Sequence, residues 1–135
     1  MKRSNYLVLG PALICAGLFL CSCSAKEKKI IVTGSVTWKG EIPDHGDIIL
    51  HPEDGLSMPD PGKIVNGRFK VETTAGKKRV QVSWSREKAV PAGVMGQGER
   101  EQLISKDYHT HESKLTIEVI PGQKNEFDFQ LPLAE

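Results

Sequence analysis

Four histidines and three cysteines carry most of the chemistry that the residue types of this chain allow. His109-Thr110-His111, with Asp107 and Glu112 beside it, would offer two imidazoles and a carboxylate to a divalent metal, because alternate residues of an extended segment share one face. A polar loop entering a strand has the same composition. His109 and His111 therefore stand as weak metal candidates, and the expectation is no metal and no cofactor. His45 and His51 flank Asp47 among turn-forming neighbours and read as solvated. No Gly-x-Ser-x-Gly elbow supports a Ser/His/Asp triad, so no catalytic residue is assigned. Gly93-Val94-Met95-Gly96-Gln97-Gly98 lacks the strand-to-helix context and the trailing Lys-Ser/Thr of a phosphate cradle, which leaves a flexible loop. Lys77-Lys78-Arg79 reads as the solvated start of a strand.

The cysteines all lie at the start of the chain, at Cys15, Cys21 and Cys23. Met1-Lys2-Arg3 is a short basic opening, and residues 6–20 are apolar without a charge, interrupted by Gly10, Pro11 and Gly17. Such a run falls short of the roughly 20 residues a spanning helix needs and fits the n- and h-regions of a secretory signal. Leu20-Cys21-Ser22-Cys23 resembles the lipobox of bacterial lipoproteins, with Leu three residues before the acceptor and small Ser directly before it. Cleavage before Cys21 would put bulky Leu20 where a small residue is wanted. The resemblance therefore implies removal of residues 1–22 and lipidation of Cys23, with the membrane as a partner through the N-terminal lipid. Ser24 carries no acidic retention signal, which points to the outer membrane of a two-membrane cell envelope.

Processing changes the charge arithmetic. The 135-residue chain has 18 basic and 17 acidic residues, and losing residues 1–22 removes Lys2 and Arg3 but no acid, leaving 113 residues with 16 against 17. A net charge near −1 gives no concentrated basic field, so nucleic acid is not expected as a partner. No thiol would remain for a disulfide, a cysteine-based metal site or a nucleophile. The exported domain must be held by its apolar core alone, which a chain of this size can build.

The elements that position these residues follow a period of two. After a polar tether at residues 23–29, Ile30, Val32, Val36 and Trp38 share one parity and predict a half-buried strand ending at Lys39-Gly40. A short strand is predicted over residues 47–50, stopped by His51-Pro52-Glu53-Asp54-Gly55. Asn66-Gly67 between residues 63–65 and 68–72 is a type I′ hairpin signal. Val80, Val82 and Trp84 alternate with polar residues, as do Leu115, Ile117 and Val119, and then Phe127, Phe129 and Leu131. Pro121-Gly122 with Gln123-Lys124-Asn125 is expected to join the last two as a hairpin. Seven strands, no convincing helix and turns rich in Gly and Pro predict an all-β sandwich over residues 30–135, of transthyretin-like or immunoglobulin-like type. Trp38, Phe69, Trp84, Phe127 and Phe129 are assigned to its core.

In order along the chain, Val32-Thr33-Gly34-Ser35-Val36-Thr37 with Gly40, Pro52-Glu53-Asp54-Gly55, Ile64-Val65-Asn66-Gly67-Arg68-Phe69, Lys114-Leu115-Thr116-Ile117-Glu118-Val119 and Asn125-Glu126-Phe127-Asp128-Phe129 carry a likeness. They resemble the small planctomycete-type lipoproteins that bear a carboxypeptidase regulatory-like, transthyretin-like β-sandwich domain. Lys77-Lys78-Arg79 and Ile104-Ser105-Lys106-Asp107-Tyr108-His109 depart from the commoner residues at those places. The resemblance implies an exported accessory or binding module and names no ligand; the expectation built on it is a monomeric, non-catalytic envelope module with an envelope protein as candidate partner. The alternative is a metal- or glycan-binding envelope protein that uses the loop at residues 85–111. At 27 residues that loop far exceeds the usual connection of about 4 to 6, so any function is expected there.

Overall fold

The computed structural model describes residues 26–91, 93, 95–96 and 98–133. Cys15, Cys21, Cys23 and the apolar run that precedes them lie outside the described residues. Nine strands and one short helix follow one another: β1 (Ile30–Trp38), β2 (His45–Pro52), β3 (Asp60–Val65), β4 (Arg68–Thr73), β5 (Gly76–Ser83), β6 (Ser85–Glu87), β7 (Arg100–Gln102), α1 (Lys106–His109), β8 (Thr116–Val119) and β9 (Asn125–Leu131). Seven of them form one sheet in the order β8-β5-β2-β3-β4-β1-β9, and β6 pairs with β7 in a separate two-stranded ribbon. β3 and β4 share only the pairs Ile64↔Phe69 and Val65↔Arg68 beside their turn, so the sheet folds over there. The result is the predicted all-β sandwich, built on one seven-stranded sheet with β8 and β9 at its two edges.

Alternation decides which face each strand buries. Val32, Val36 and Trp38 of β1, Ile48 and Leu50 of β2, Val80 and Val82 of β5 and Ile117 and Val119 of β8 turn inward and join one core cluster with Phe69, Val71, Phe129 and Leu131. Phe69 and Phe129 stack with centroids 5.9 Å apart on either side of β1. Phe127 is only half-buried and packs at the rim of that cluster. The hairpin turn between β3 and β4 is the one expected, since Asn66 and Gly67 have φ of 49° and 71°, the double positive φ of a type I′ turn.

Four expectations need correction. β2 runs from His45 to Pro52, and β3 starts at Asp60 rather than Lys63. Pro52 closes the ladder opposite Lys78, so His51-Pro52 belongs to the strand and only the residues after it turn. β8 and β9 do not form a hairpin: β8 pairs with β5 and β9 runs parallel to β1, so residues 120–124 connect the two edge strands of the sheet. Buried Asn125 replaces the missing ladder there, accepting from Ile120 N–H at 2.9 Å and donating to the carbonyls of Ile120 and Gln123 at 3.0 Å each. Finally, Lys78 is not solvated but 2% exposed. It shares the inward parity of Val80 and Val82, and its Nζ donates to Thr74 Oγ1 at 2.8 Å, which satisfies part of the cost of burying an amine.

Candidate functional site

Among the described residues of the segment 85–111, Ser85–Glu87 and Arg100–Gln102 are strands and Lys106–His109 is a short helix, so the segment carries structure of its own at both ends. β5 ends at Ser83, and Trp84, 3% exposed, plugs the end of the core before the chain leaves it as β6. The Gln102 side chain ties the base of the ribbon: its Oε1 accepts from Trp84 N–H at 2.9 Å and from Ile104 N–H at 3.3 Å. Leu103 N–H then donates to the Trp84 carbonyl at 2.8 Å, after which Ile104 and Tyr108 enter the core. Tyr108, on α1, meets Trp38 edge-on with centroids 6.1 Å apart. Ser105 caps α1, accepting from Asp107 N–H. The apolar residues of the second half thus dock the segment on its own sandwich and leave the ribbon as the part that stands clear.

Within the ribbon, Arg86 pairs with Glu101 and Glu87 with Arg100, and Lys88 N–H donating to the Glu99 carbonyl at 2.9 Å extends the ladder. The Arg86 guanidinium lies 5.4 Å from the centre of the Trp84 ring, a cation–π distance, and reaches Glu41 at 3.9 Å. Among the described residues, each ribbon strand pairs only with the other, which leaves its outer edge without a strand partner.

Beside β6 opens a cleft of about 590 Å³, bounded by His45 and Asp47 of β2, Lys63 and Val65 of β3, Ser83, and Ser85, Arg86, Glu87 and Arg100 of the ribbon. Lys63 is paired with Asp47 across the β2–β3 ladder. At the mouth, His45 Nδ1 is 2.9 Å from Asp44 Oδ2. Partial desolvation raises the Asp44 pKa, but hydrogen bonds from the His45 ring and N–H and from the Trp84 indole outweigh it and hold this carboxyl below the ordinary range. Three cations line this space and each has a carboxylate beside it, Lys63 with Asp47, Arg100 with Glu87 at 3.9 Å and Arg86 with Glu41 at 3.9 Å, all on exposed side chains that a competing carboxylate can reach. Hydroxyls and an unpaired strand edge complete a surface that suits an extended polar chain with acidic side chains.

The other three histidines fall elsewhere. His109 Nδ1 is 2.9 Å from the Ile104 carbonyl, which fixes the ring against its own segment. His111 is exposed, 4.0 Å from Glu112, and borders a second hollow with His51, Glu53 and Arg79. His51 is half-buried in β2 with its Nε2 2.8 Å from Gln81 Oε1, so it is not simply solvated as its turn-like neighbours suggested. Among the described residues no group of three or more His, Cys, Asp or Glu side chains is placed to hold a metal ion. The sequence reading missed the cleft, because its walls come from β2, β3 and the ribbon, and only the pairing register brings them together. Among the described residues, no helix is long and apolar enough to cross a membrane. Compared with known proteins, the chain matches no family model, no curated protein and no solved structure.

Proposed function

We propose that the protein is a lipid-anchored, exported, non-catalytic β-sandwich module of the cell envelope that holds a partner protein on the ribbon β6–β7 and in the cleft beside it. One observation carries the reading: the two ends of a long insertion, Ser85–Glu87 and Arg100–Gln102, pair as a two-stranded ribbon next to a cleft lined by Lys63, Arg86 and Arg100. An extended acidic segment of the partner would add a strand along β6 while its carboxylates meet the two arginines. The anchor is Cys23, acylated after removal of residues 1–22, in the manner of the planctomycete-type lipoproteins the sequence resembles. Ser24 favours the outer membrane.

The register sets the two ends apart. Ile30 pairs with Thr73 and Leu50 with Asp60 at the tether end, whereas His45 pairs with Val65 and Asp47 with Ser83 at the other. The ribbon leaves from the second end, facing away from the tether, where a partner has access. The test is the pair Arg86→Glu and Arg100→Glu, both exposed side chains, in the membrane-anchored protein. Unchanged thermal unfolding with loss of the partners recovered by the native chain supports the reading; retention of every partner ends it.

A further inference from the structure

The β2–β3 connection ends on two side chains that the fold leaves outside. Leu56 is 92% exposed and Met58 84%. They are held there by a built turn. Asp54 Oδ1 accepts from Leu56 N–H at 2.9 Å and Ser57 N–H at 3.0 Å, and its Oδ2 accepts from Ser57 Oγ at 2.8 Å. The Glu53 N–H bonds the Lys77 carbonyl and ties the turn to the start of β5. Ordering two large apolar side chains in water has no benefit for the isolated domain, so their surroundings decide what the turn is for.

Those surroundings are the tether. Lys29 Nζ donates to Asp60 Oδ1 at 2.7 Å, two residues beyond Met58, which ties the residue before β1 to the same connection. Lys29 is six steps along the chain from Cys23, and at about 3.3 to 3.6 Å per step they reach no more than roughly 20 Å when fully extended. That is shorter than the diameter of a domain whose radius of gyration is about 13 Å. An anchor at Cys23 therefore keeps this end of the sandwich against the lipid surface. The turn at residues 120–124, which carries Ile120 at 39% exposure, lies at the same end, since Val119 pairs with Gly76 and Asn125 with Val32.

We propose that Leu56 and Met58 are a membrane-contact tip: they insert into the interfacial region of the bilayer that holds the Cys23 lipid and orient the sandwich with its ribbon outward. The occupant is a lipid surface engaged through apolar side chains. Lys26, Lys28 and Lys29 near the tip are balanced by Glu27, Asp54 and Asp60, so no strongly anionic lipid is required. The inference rests on the lipid anchor proposed above, and the test separates the two.

The full chain, processed and lipidated, is reconstituted into phosphatidylcholine vesicles as Leu56→Cys and, separately, as Ile42→Cys at the opposite end, where Ile42 is 64% exposed. Each new thiol carries a polarity-sensitive bimane, and vesicles with brominated acyl chains serve as quencher. The expected result is a blue-shifted emission at position 56 with quenching several-fold greater than at position 42. Protein that floats with the vesicles while both labels read as aqueous, or quench alike, overturns the membrane tip and leaves the anchor standing. Protein that does not float overturns both. Leu56→Ser with Met58→Ser, which removes only exposed apolar surface, should unfold like the native chain but let a label at Ile42→Cys approach the brominated lipid as the domain loses its orientation.

Discussion

The indole N–H of Trp84 donates to Asp44 Oδ1 at 3.1 Å, joining residues 40 apart in the chain. The ring is buried in the core, its edge reaches the turn after β1, and its outer face carries Arg86. One side chain therefore closes the end of the sandwich and braces the base of the ribbon.

Removing it should be costly. Trp84→Ala is expected to lose about 3 to 5 kcal/mol, the usual cost of deleting a buried aromatic. Trp84→Phe keeps most of the packing but lacks the donor, and should lose only about 1 kcal/mol beyond its smaller volume. Urea unfolding of the two variants measures the difference. A loss under about 1 kcal/mol for the alanine variant would place the ring on the surface.

Gly34 sits in the middle of β1, opposite Phe69 on one side and Phe127 on the other. A Cβ there would run into the Phe127 carbonyl oxygen and come within 2.8 Å of Phe69 Cζ. Gly34→Ala should destabilise by about 1 to 3 kcal/mol, because backbone at the centre of a sandwich cannot step aside. Thermal unfolding tests this, and an unchanged midpoint would mean that the β1–β9 ladder opens at little cost.

The tether end should be sensitive to acid. Burial raises the pKa of Asp60, whose side chain is 15% exposed, but hydrogen bonds from Lys29 and Thr73 and the charges of Lys29 and Lys78 lower it more, so the net shift is downward. A carboxyl whose folded pKa lies below its unfolded value of about 3.9 stabilises the fold above that pH, and the contribution disappears as pH falls through the folded value. Stability measured between pH 6 and pH 2 should therefore fall less steeply in Asp60→Asn than in the native chain below about pH 4. At neutral pH the variant should be the less stable of the two. Equal slopes would show that the ion pair with Lys29 is fully screened.

Much of this architecture was legible because strand burial has a simple period. Val32, Val36 and Trp38, or Val80, Val82 and Trp84, declare their inward face by parity, and Asn66-Gly67 declares its turn by the positive φ both positions accept. Lys78 broke the rule because residue type and parity disagreed there, and the pairing of β5 between β2 and β8 decided for parity. The partners of β8 and β9 were illegible for another reason: a short connection is compatible with a hairpin or with a link between the two edge strands, and only the completed sheet edges select one. The cleft depends on residues far apart in the chain. Nothing local to His45, Lys63 or Arg100 announces that they share a wall.

Zinc titration of the purified domain at neutral pH should show no saturable site tighter than millimolar. The Ile104 carbonyl occupies His109 Nδ1, and His111 turns to solvent beside Glu112, so the pair presents no converging third ligand. A stoichiometric site lost in His111→Ala would restore the metal-binding alternative.

The anchor itself is tested by Cys23→Ser. A lipoprotein acceptor carries more than one acyl chain, and two such signals hold a protein on a bilayer stably where a single chain binds marginally. Without the acceptor thiol the precursor should be processed poorly or released into the soluble fraction, whereas the native chain should partition into the detergent phase. Residues 6–20 contain no charge, and their length together with the lipobox-like Leu20-Cys21-Ser22-Cys23 argues against a spanning helix. Membrane retention unchanged in Cys23→Ser, with the N-terminal residues still attached by mass, would therefore identify that run as a true span. Cleavage before Cys23 together with an added acyl mass would establish the anchor, and with it the roughly 20 Å leash that sets the orientation of the sandwich.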